Sequence, residues 1–146
     1  MYQSLLLPTD GSEAAERGVA EGLRLAKALG ARVAFLHVLE PLGPRLLLGP
    51  ETLPYYHALV EDLRRQGLAA LDRATQLAEG LGVPFEAHLL EGRAAEVILA
   101  ESAKHDLVVM GSHGRTGADL VLLGSVTLEV VRRASKPVLV VPYRRA

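Results

Sequence analysis

The chain has 146 residues, of which 49% are hydrophobic and 23% are charged, and its formal net charge at pH 7 is −1. This length and composition predict one soluble globular domain with a full hydrophobic core. The near-neutral charge and the aromatic content of 4% argue against nucleic-acid binding, which relies on basic patches and base-stacking surfaces. There is no cysteine, which excludes disulfides, thiolate chemistry and cysteine-ligated metal sites.

No apolar run is long enough to span a membrane, and the N-terminal sequence from Met1 to Ser4 lacks the basic start of a signal peptide. These features predict a cytoplasmic protein with no membrane partner. Neither a shift in composition nor an internal repeat divides the chain, so residues 1–146 are expected to form a single domain.

The first predicted elements are a strand over residues 4–8 and a helix that begins near Glu13. Asp10, with Glu13 three residues later, matches a capping box, although Ser12 is a second candidate for the N-cap. Apolar residues then recur at helical spacing up to Gly30, which is expected to end the helix.

The rest of the chain repeats this alternation of strand and helix. Later strands are predicted over residues 32–38, 83–89, 107–110 and 138–141, and later helices over residues 57–81, 93–103 and 125–134. Residues 41–54 contain glycine and proline around three leucines. We interpret them as a loop that contacts a second molecule or covers a ligand.

Five apolar strands that alternate with four helices predict a parallel α/β sheet with helices on both faces. Right-handed connections leave few topologies, and in the expected strand order 3-2-1-4-5 the winding direction reverses between strands one and four. Ligands of such sheets bind at that point, in the crevice at the carboxyl ends of the strands. The loop from Thr9 to Gly11 and the segment that begins at Gly111 would both face this crevice.

Two common phosphate-binding motifs are missing from the sequence. The turn after the first strand, Pro8 to Glu13, does not read G-x-G-x-x-G and has an acid where a pyrophosphate would lie, which excludes a Rossmann dinucleotide site. The chain also contains neither Gly-Lys-Ser nor Gly-Lys-Thr, so the lysine of a Walker A loop is missing.

The strongest functional feature is a glycine-rich segment between the fourth strand and the last helix. Gly111 and Gly114 leave the backbone free to turn closely around a bound group, and Gly124 with Ser125 opens the helix. Backbone N–H groups at such a helix start attract phosphate, and Ser125 and Thr127 can add hydroxyl donors. The alternative is that the glycines only make a tight turn and that Ser125 is only an N-cap.

The other polar residues show no spacing typical of a catalytic triad or a carboxylate pair. His113 and Arg115 can supply positive charge to the glycine-rich segment. His37, His88 and His105 lie on or beside strands without ligand spacing and are interpreted as structural.

In combination, these motifs resemble the universal stress protein family. The resemblance rests on G-x2-G-x9-G-S after a strand that ends in Met-Gly, on Pro-Thr-Asp-Gly-Ser after the first strand, and on the closing Lys-Pro-Val-Leu-Val-Val-Pro of residues 136–142. It covers essentially the whole chain, and the glycine pattern resembles that of the ATP-binding branch. The resemblance implies a fold like that of the adenine nucleotide alpha hydrolases, with ATP as ligand and Mg²⁺ held mainly through the phosphates.

The resemblance also implies roles for individual residues. The three glycines of the motif and Ser125 would hold the ribose and the phosphates, Asp10 would approach the ribose or the adenine, and the Val38 backbone would meet the base. A helix cap is the alternative role for Asp10. The complete ATP site implied in this way consists of Pro8, Thr9, Asp10, Val38, Met110, Gly111, Gly114, Arg115, Gly124, Ser125, Val126 and Thr127.

Three functions remain open at this stage. The preferred one is a regulatory stress-response protein that binds ATP, acts as a nucleotide-dependent dimeric switch and signals to an unknown downstream partner. The second is a slow ATPase or phosphotransfer enzyme that uses Ser125, Thr127 or His113, and the third is a nucleotide-independent scaffold. The dimer is expected to form by antiparallel pairing of residues 138–141, because an uncharged edge strand invites pairing, and the resemblance implies the same contact.

Overall fold

The computed structural model describes residues 1–42, 49–113 and 123–143. Its strands are β1 (Ser4–Pro8), β2 (Arg32–Leu39), β3 (Phe85–Glu91), β4 (Leu107–Gly111) and β5 (Val138–Val141). Its α-helices are α1 (Glu13–Leu29), α2 (Leu53–Leu81), α3 (Ala94–Ser102) and α4 (Ser125–Arg133). A short 3-10 helix, Pro50–Thr52, precedes α2.

The strands form one parallel sheet with the order β3-β2-β1-β4-β5. The predicted α/β architecture and strand order are therefore confirmed. β1 and β4 lie in the middle of the sheet, whereas β3 and β5 form its two edges.

Helices cover both faces of this sheet, as predicted. On one face α1 and α2 pack on a core that includes Leu7, Leu23 and Phe35. On the other face α3 and α4 contribute Ile98 and Val130 to a second core. Because both faces are covered, β1 and β4 consist entirely of buried residues.

None of the helices in the described ranges combines the length and the hydropathy that crossing a membrane requires.

The third strand begins later than the sequence pattern predicts, at Phe85 rather than at Val83. The reason is the cap of the preceding helix. Gly82 adopts φ +71°, in the left-handed region that favours glycine, and the N–H of Val83 donates to the carbonyl of Ala78 over 3.0 Å. Val83 therefore belongs to the end of α2 and not to the sheet.

Helix α2 begins earlier than predicted, at Leu53 instead of residue 57. Pro54 occupies the first turn, where a missing N–H costs no helical hydrogen bond. Residues 50–54 of the predicted loop are thus helical, and residues 43–48 of that loop lie outside the described residues.

Helix α1 lies in backbone contact with the carboxyl end of β4. A Cβ added to Gly18 would lie 2.7 Å from the amide nitrogen of Gly111, and a Cβ added to Gly111 would lie 2.4 Å from the carbonyl oxygen of Ala14. No side chain fits at either position, so the approach depends on glycine in both elements. The contact brings the start of α1, and the loop that precedes it, beside the end of β4.

We predict that Gly18→Ala lowers the free energy of unfolding by about 1–3 kcal/mol, because the overpacking outweighs the ~1 kcal/mol that alanine gains over glycine inside a helix. Gly80→Ala is the matched control, since Gly80 is also helical but a Cβ there meets nothing within 4 Å. In this control the free energy of unfolding is expected to rise by up to about 1 kcal/mol. Urea unfolding followed by circular dichroism measures both variants, and a stabilising effect of both would contradict the close contact.

Candidate functional site

The hydrogen-bonded ladder between β1 and β4 is short. The two strands pair only at Leu5 opposite Leu107 and at Leu6 opposite Val108, whereas β1 pairs with β2 as far as Pro8. Beyond Leu6 the central strands no longer pair, which opens a crevice at their carboxyl ends. The winding direction of the sheet reverses at the same place, and this is where open α/β sheets bind ligands.

One side of the crevice is formed by the loop after β1, which is a hydrogen-bonded turn. Thr9 Oγ1 accepts a hydrogen bond from the N–H of Gly11 over 3.2 Å, and Asp10 Oδ1 accepts one from the N–H of Ser12 over 2.9 Å. Gly11 adopts φ +81°, which again favours glycine. These bonds hold the half-exposed carboxylate of Asp10 at the carboxyl end of β1.

Ser12 is the N-cap of α1. Its Oγ accepts a hydrogen bond from the N–H of Ala15 over 3.2 Å. The predicted capping box between Asp10 and Glu13 is therefore wrong, because Asp10 bonds within the turn and the Glu13 carboxylate accepts a hydrogen bond from the Tyr143 hydroxyl. The alternative role of Asp10 as the helix cap is excluded with it.

The other side of the crevice is formed by the end of β4 and the start of α4. Ser112, which is 3% exposed, donates its N–H to the carbonyl of Val141 over 3.0 Å. Its own carbonyl accepts the N–H of Gly124 over 2.7 Å. Gly124 has φ −68° and ψ 160°, an extended conformation that any residue adopts. The start of α4 is therefore tied to the end of β4.

The first turn of α4 has no side-chain cap at Gly124. The N–H of Leu128 donates to the carbonyl of Gly124 over 2.9 Å, as the first bond of the helical ladder. The N–H groups of Ser125, Val126 and Thr127 precede that ladder and have no intrahelical acceptor. Such groups and the positive end of the helix dipole favour an anion in the crevice.

Thr127 does not provide the hydroxyl donor that the sequence suggested. Its side chain is buried, and its hydroxyl donates to the carbonyl of Gly111 over 2.9 Å. The side chain thus joins α4 to β4, and only the backbone N–H of Thr127 remains in the first turn as a donor.

The structure gives Gly111 a packing role. Its missing side chain leaves room for the carbonyl of Ala14, so glycine is required by packing against α1. Its φ is not positive, so no left-handed turn depends on it.

The residues predicted for the ATP site lie at the ends of the strands named above and in the first turn of α4, and they differ in exposure. The buried ones are Pro8, Thr9, Met110, Gly111 and Thr127. The half-buried or exposed ones are Asp10, Val38, Gly124, Ser125 and Val126. Gly114 and Arg115 lie outside the described residues.

His37 has the structural role predicted for it, and it supports the site directly. Its Nδ1 lies 2.9 Å from the carbonyl oxygen of Thr9, and because a carbonyl only accepts, Nδ1 carries the proton. A Cβ on Gly67 would lie 2.4 Å from Cδ2 of the ring, so α2 lies directly on the imidazole. His37 therefore holds the β1 loop against β2 and α2, next to Val38.

Four charged side chains, here called the α3–α4 ion ring, join α4 to α3. Arg93 bonds Glu96 over 2.7 Å and Glu129 over 3.0 Å, and Arg133 bonds both Glu96, over 2.6 Å, and Glu129. Hydrogen bonds from Arg133 and Arg93 lower the pKa of Glu96 to about 2, and hydrogen bonds from the same arginines also lower the pKa of Glu129. Single exposed pairs contribute little, but a closed ring fixes the position of α4 relative to α3.

The sequence did not predict the ion ring, and it did not predict a second contact that α3 makes with the residue after β2. Glu40, just after β2, accepts the N–H of Ala94 over 2.8 Å and so binds the first turn of α3. These partners lie in different elements, and no local spacing points to them.

Acidic and imidazole side chains do not cluster as a metal site anywhere in residues 1–42, 49–113 and 123–143.

These features define a class of protein: a single-domain parallel α/β protein whose candidate site combines a carboxylate turn with a helix start that has glycine as its N-cap, at the switch point of the sheet. Comparison with known proteins identifies the family. The model of the universal stress protein family matches residues 1–142, and the chain belongs to this family.

Two relatives illustrate the similarity. The chain is 36% identical over 143 residues to universal stress protein MJ0531 of Methanocaldococcus jannaschii, an alignment that covers 97% of this chain and 82% of that protein. It is 39% identical over 150 residues to a universal stress protein of Thermus aquaticus, with coverage of 97% and 99%. The predicted family is confirmed.

Solved structures show the same fold. The structure of MJ0577 superposes with a TM-score of 0.78 at 30% identity and covers 100% of this chain and 99% of that one. A universal stress protein in complex with cAMP superposes with a TM-score of 0.68 at 26% identity, covering 97% of each chain.

The ion ring gives a pH-dependent prediction. Because the pKa of Glu96 is lowered in the folded protein, the stability that it contributes is present above pH 4.5 and is lost as the pH falls toward about 2. The Tm difference between the wild type and Glu96→Gln should therefore shrink over this range. Thermal unfolding at several pH values, with Glu79→Gln on α2 as the control, tests this, and a difference that stays constant with pH would contradict it.

Proposed function

We propose that this protein is a regulatory stress-response protein that binds ATP in the crevice between β1 and β4. The observation that carries the proposal is the pairing of two features across this crevice. One is the uncapped first turn of α4, which is tied to β4 through the hydrogen bond between Gly124 and Ser112. The other is the half-exposed Asp10 carboxylate, which is held by its own turn.

The phosphates would occupy the start of α4. The N–H groups of Ser125, Val126 and Thr127 would donate to phosphate oxygens, and the helix dipole adds roughly 0.3–1 kcal/mol of attraction. The Ser125 hydroxyl is exposed at the same turn, whereas the Thr127 hydroxyl is engaged with Gly111. Gly114 would complete this end in the family pattern, and Arg115 would add positive charge.

The nucleoside would occupy the side of the crevice nearer β2. A carboxylate such as that of Asp10 accepts hydrogen bonds from ribose hydroxyls, and the half-buried Val38 backbone would meet the base. Pro8, Thr9 and Met110 would form the floor, because they are buried at the ends of the two strands. The relative solved in complex with cAMP supports an adenine nucleotide as the ligand class.

The described residues fit such a ligand, since one side of the crevice offers N–H donors and the other offers a carboxylate. They contain no cluster of metal-binding side chains. Mg²⁺ would therefore be held mainly through the phosphates of ATP and would neutralise part of their charge.

One of the hydroxyls considered for catalysis is engaged within the fold. Of the hydroxyls considered for an ATPase or a phosphotransfer enzyme, that of Thr127 is buried and engaged. We therefore favour a cytoplasmic switch whose occupied and empty states differ, and which acts on a downstream partner.

Calorimetric titration with ATP and Mg²⁺ tests the binding site. We expect saturable binding, and we expect Gly124→Val to weaken it by about tenfold or more, which is about 1.4 kcal/mol. The extended backbone at Gly124 accepts valine without strain, so we expect the variant to fold, and the larger side chain would crowd the helix start where the phosphates would lie. Gly80→Ala serves as the control, and no saturation at millimolar ATP, or equal affinity in Gly124→Val, would contradict the site.

The switch would be a homodimer formed through the edge strand β5. β5 pairs only with β4, carries no charged residue, and leaves Leu139 43% exposed. Beside it, β5 and α1 border a groove of about 500 Å³. The opposite edge, β3, carries Glu86, His88 and Glu91, and charges of this kind oppose strand pairing.

Leu139→Glu is expected to convert the dimer to a monomer, because it would place a charged side chain on each of the two pairing edge strands next to the twofold axis. Ala87→Glu on β3 is the matched control at the other edge and should leave the oligomeric state unchanged. Sedimentation velocity over a range of concentrations measures both variants. A wild type that stays monomeric at high concentration, or a Leu139→Glu variant that stays dimeric, would refute pairing through β5.

A further inference from the structure

Ser112 is a junction between three parts of the molecule. Its backbone carbonyl accepts the N–H of Gly124 at the start of α4, and its backbone N–H donates to the last residue of β5, Val141. Its Oγ accepts the N–H of Tyr143 over 3.1 Å and lies 2.9 Å from Nδ1 of His113. A single buried residue thus contacts the candidate phosphate end, the edge strand and the segment that follows that strand.

Tyr143 extends this junction to the start of α1. Its hydroxyl donates to the carboxylate of Glu13, the first residue of α1. The guanidinium carbon of Arg17, one turn further along α1, lies 5.5 Å from the centre of the tyrosine ring, which is a cation–π contact. Tyr143 follows β5 after a single residue, Pro142, so its position depends on where the edge strand ends.

These contacts form a connected path from one side of the crevice to the other. The path runs from the start of α4 through Ser112 to Tyr143, and from Tyr143 to Glu13, which stands at the end of the turn that holds Asp10. β5 contacts this path in two ways. The carbonyl of Val141 accepts the N–H of Ser112, and the chain continues from Val141 through Pro142 to Tyr143. A movement at either side of the crevice therefore acts on the same edge strand.

We propose that Ser112 and Tyr143 are positioning residues that couple the occupancy of the crevice to the conformation of β5. This inference rests on the proposed ATP site and adds its means of regulation. A phosphate bound at the first turn of α4 holds Gly124 in place, and Gly124 holds the Ser112 carbonyl. Ser112 in turn orders Val141 and Tyr143, and the bond between Tyr143 and Glu13 closes the path at the Asp10 turn.

The coupling is reciprocal, as any coupling between two binding events must be. A partner that pairs with β5, such as a second copy of this chain, would order Val141 and Tyr143. It would thereby favour the arrangement of Ser112 and Gly124 that receives phosphate. The path thus provides the physical link that a nucleotide-dependent dimeric switch requires.

Hydrogen exchange of residues 138–143, measured by mass spectrometry with and without saturating ATP and Mg²⁺, tests the coupling. In the wild type we expect ATP to slow exchange there by about fivefold or more, a typical lower value for linked sites. Tyr143→Phe keeps the ring on Arg17 but loses the bond to Glu13, and Ser112→Ala keeps both backbone bonds but loses the acceptor for Tyr143. Both variants keep the backbone route from Gly124 through Ser112 to Val141 and lose the route through Tyr143, so we expect ATP to slow exchange by only about twofold.

The ratio of the exchange rates without and with ATP reports the coupling, because loosening that lowers the opening free energy equally in both states raises both rates by the same factor. Tyr55→Phe is the control, since Tyr55 is 78% exposed on α2, and it should behave as the wild type. If the wild type binds ATP but its ratio is near one, or if Tyr143→Phe and Ser112→Ala keep the wild-type ratio, the coupling is refuted and the binding site stands. If calorimetry shows no ATP binding to the wild type, the proposed site fails and the coupling fails with it.

Discussion

The backbone contact between α1 and β4 is the constraint on which the rest of the site depends. Gly18 and Gly111 leave room for the helix and the strand to touch, and the carbonyl of Ala14 occupies the space where Gly111 lacks a side chain. This contact sets the loop after β1 beside the end of β4 at the point where the central ladder stops. A larger residue at either position would move the carboxylate turn away from the start of α4, and the two sides of the crevice would no longer face one ligand.

The frame around this contact is made of small, specific hydrogen bonds. His37 fixes the β1 loop through the carbonyl of Thr9, and the Thr127 hydroxyl fixes α4 through the carbonyl of Gly111. Polar side chains near the site are therefore engaged with the backbone, whereas the N–H groups in the first turn of α4 have no intrahelical acceptor. Among the described residues, this division of roles suits a protein that holds a charged ligand in a preformed site.

The sequence predicted the fold well because its signals are local and repeated: apolar runs of strand length, helical spacing and glycines at helix ends. Strand order followed from those elements and from the handedness of their connections. The same reasoning left two candidates for the cap of α1, Asp10 in a capping box and Ser12, because caps two residues apart cannot be ranked by spacing, and the structure has Ser12. The contacts of Ser112 and Tyr143 join elements far apart in the chain, and no local pattern encodes them.

The central claim is that ATP occupies the crevice between the Asp10 turn and the start of α4. Titration of the isotope-labelled protein with ATP and Mg²⁺, followed by amide NMR shifts, tests it residue by residue. The account predicts saturable shifts concentrated at Asp10, Ser112, Gly124, Ser125 and Val126, with little change at the amino ends of the strands. Saturable shifts that cluster elsewhere, or no shifts at millimolar ATP, would contradict it.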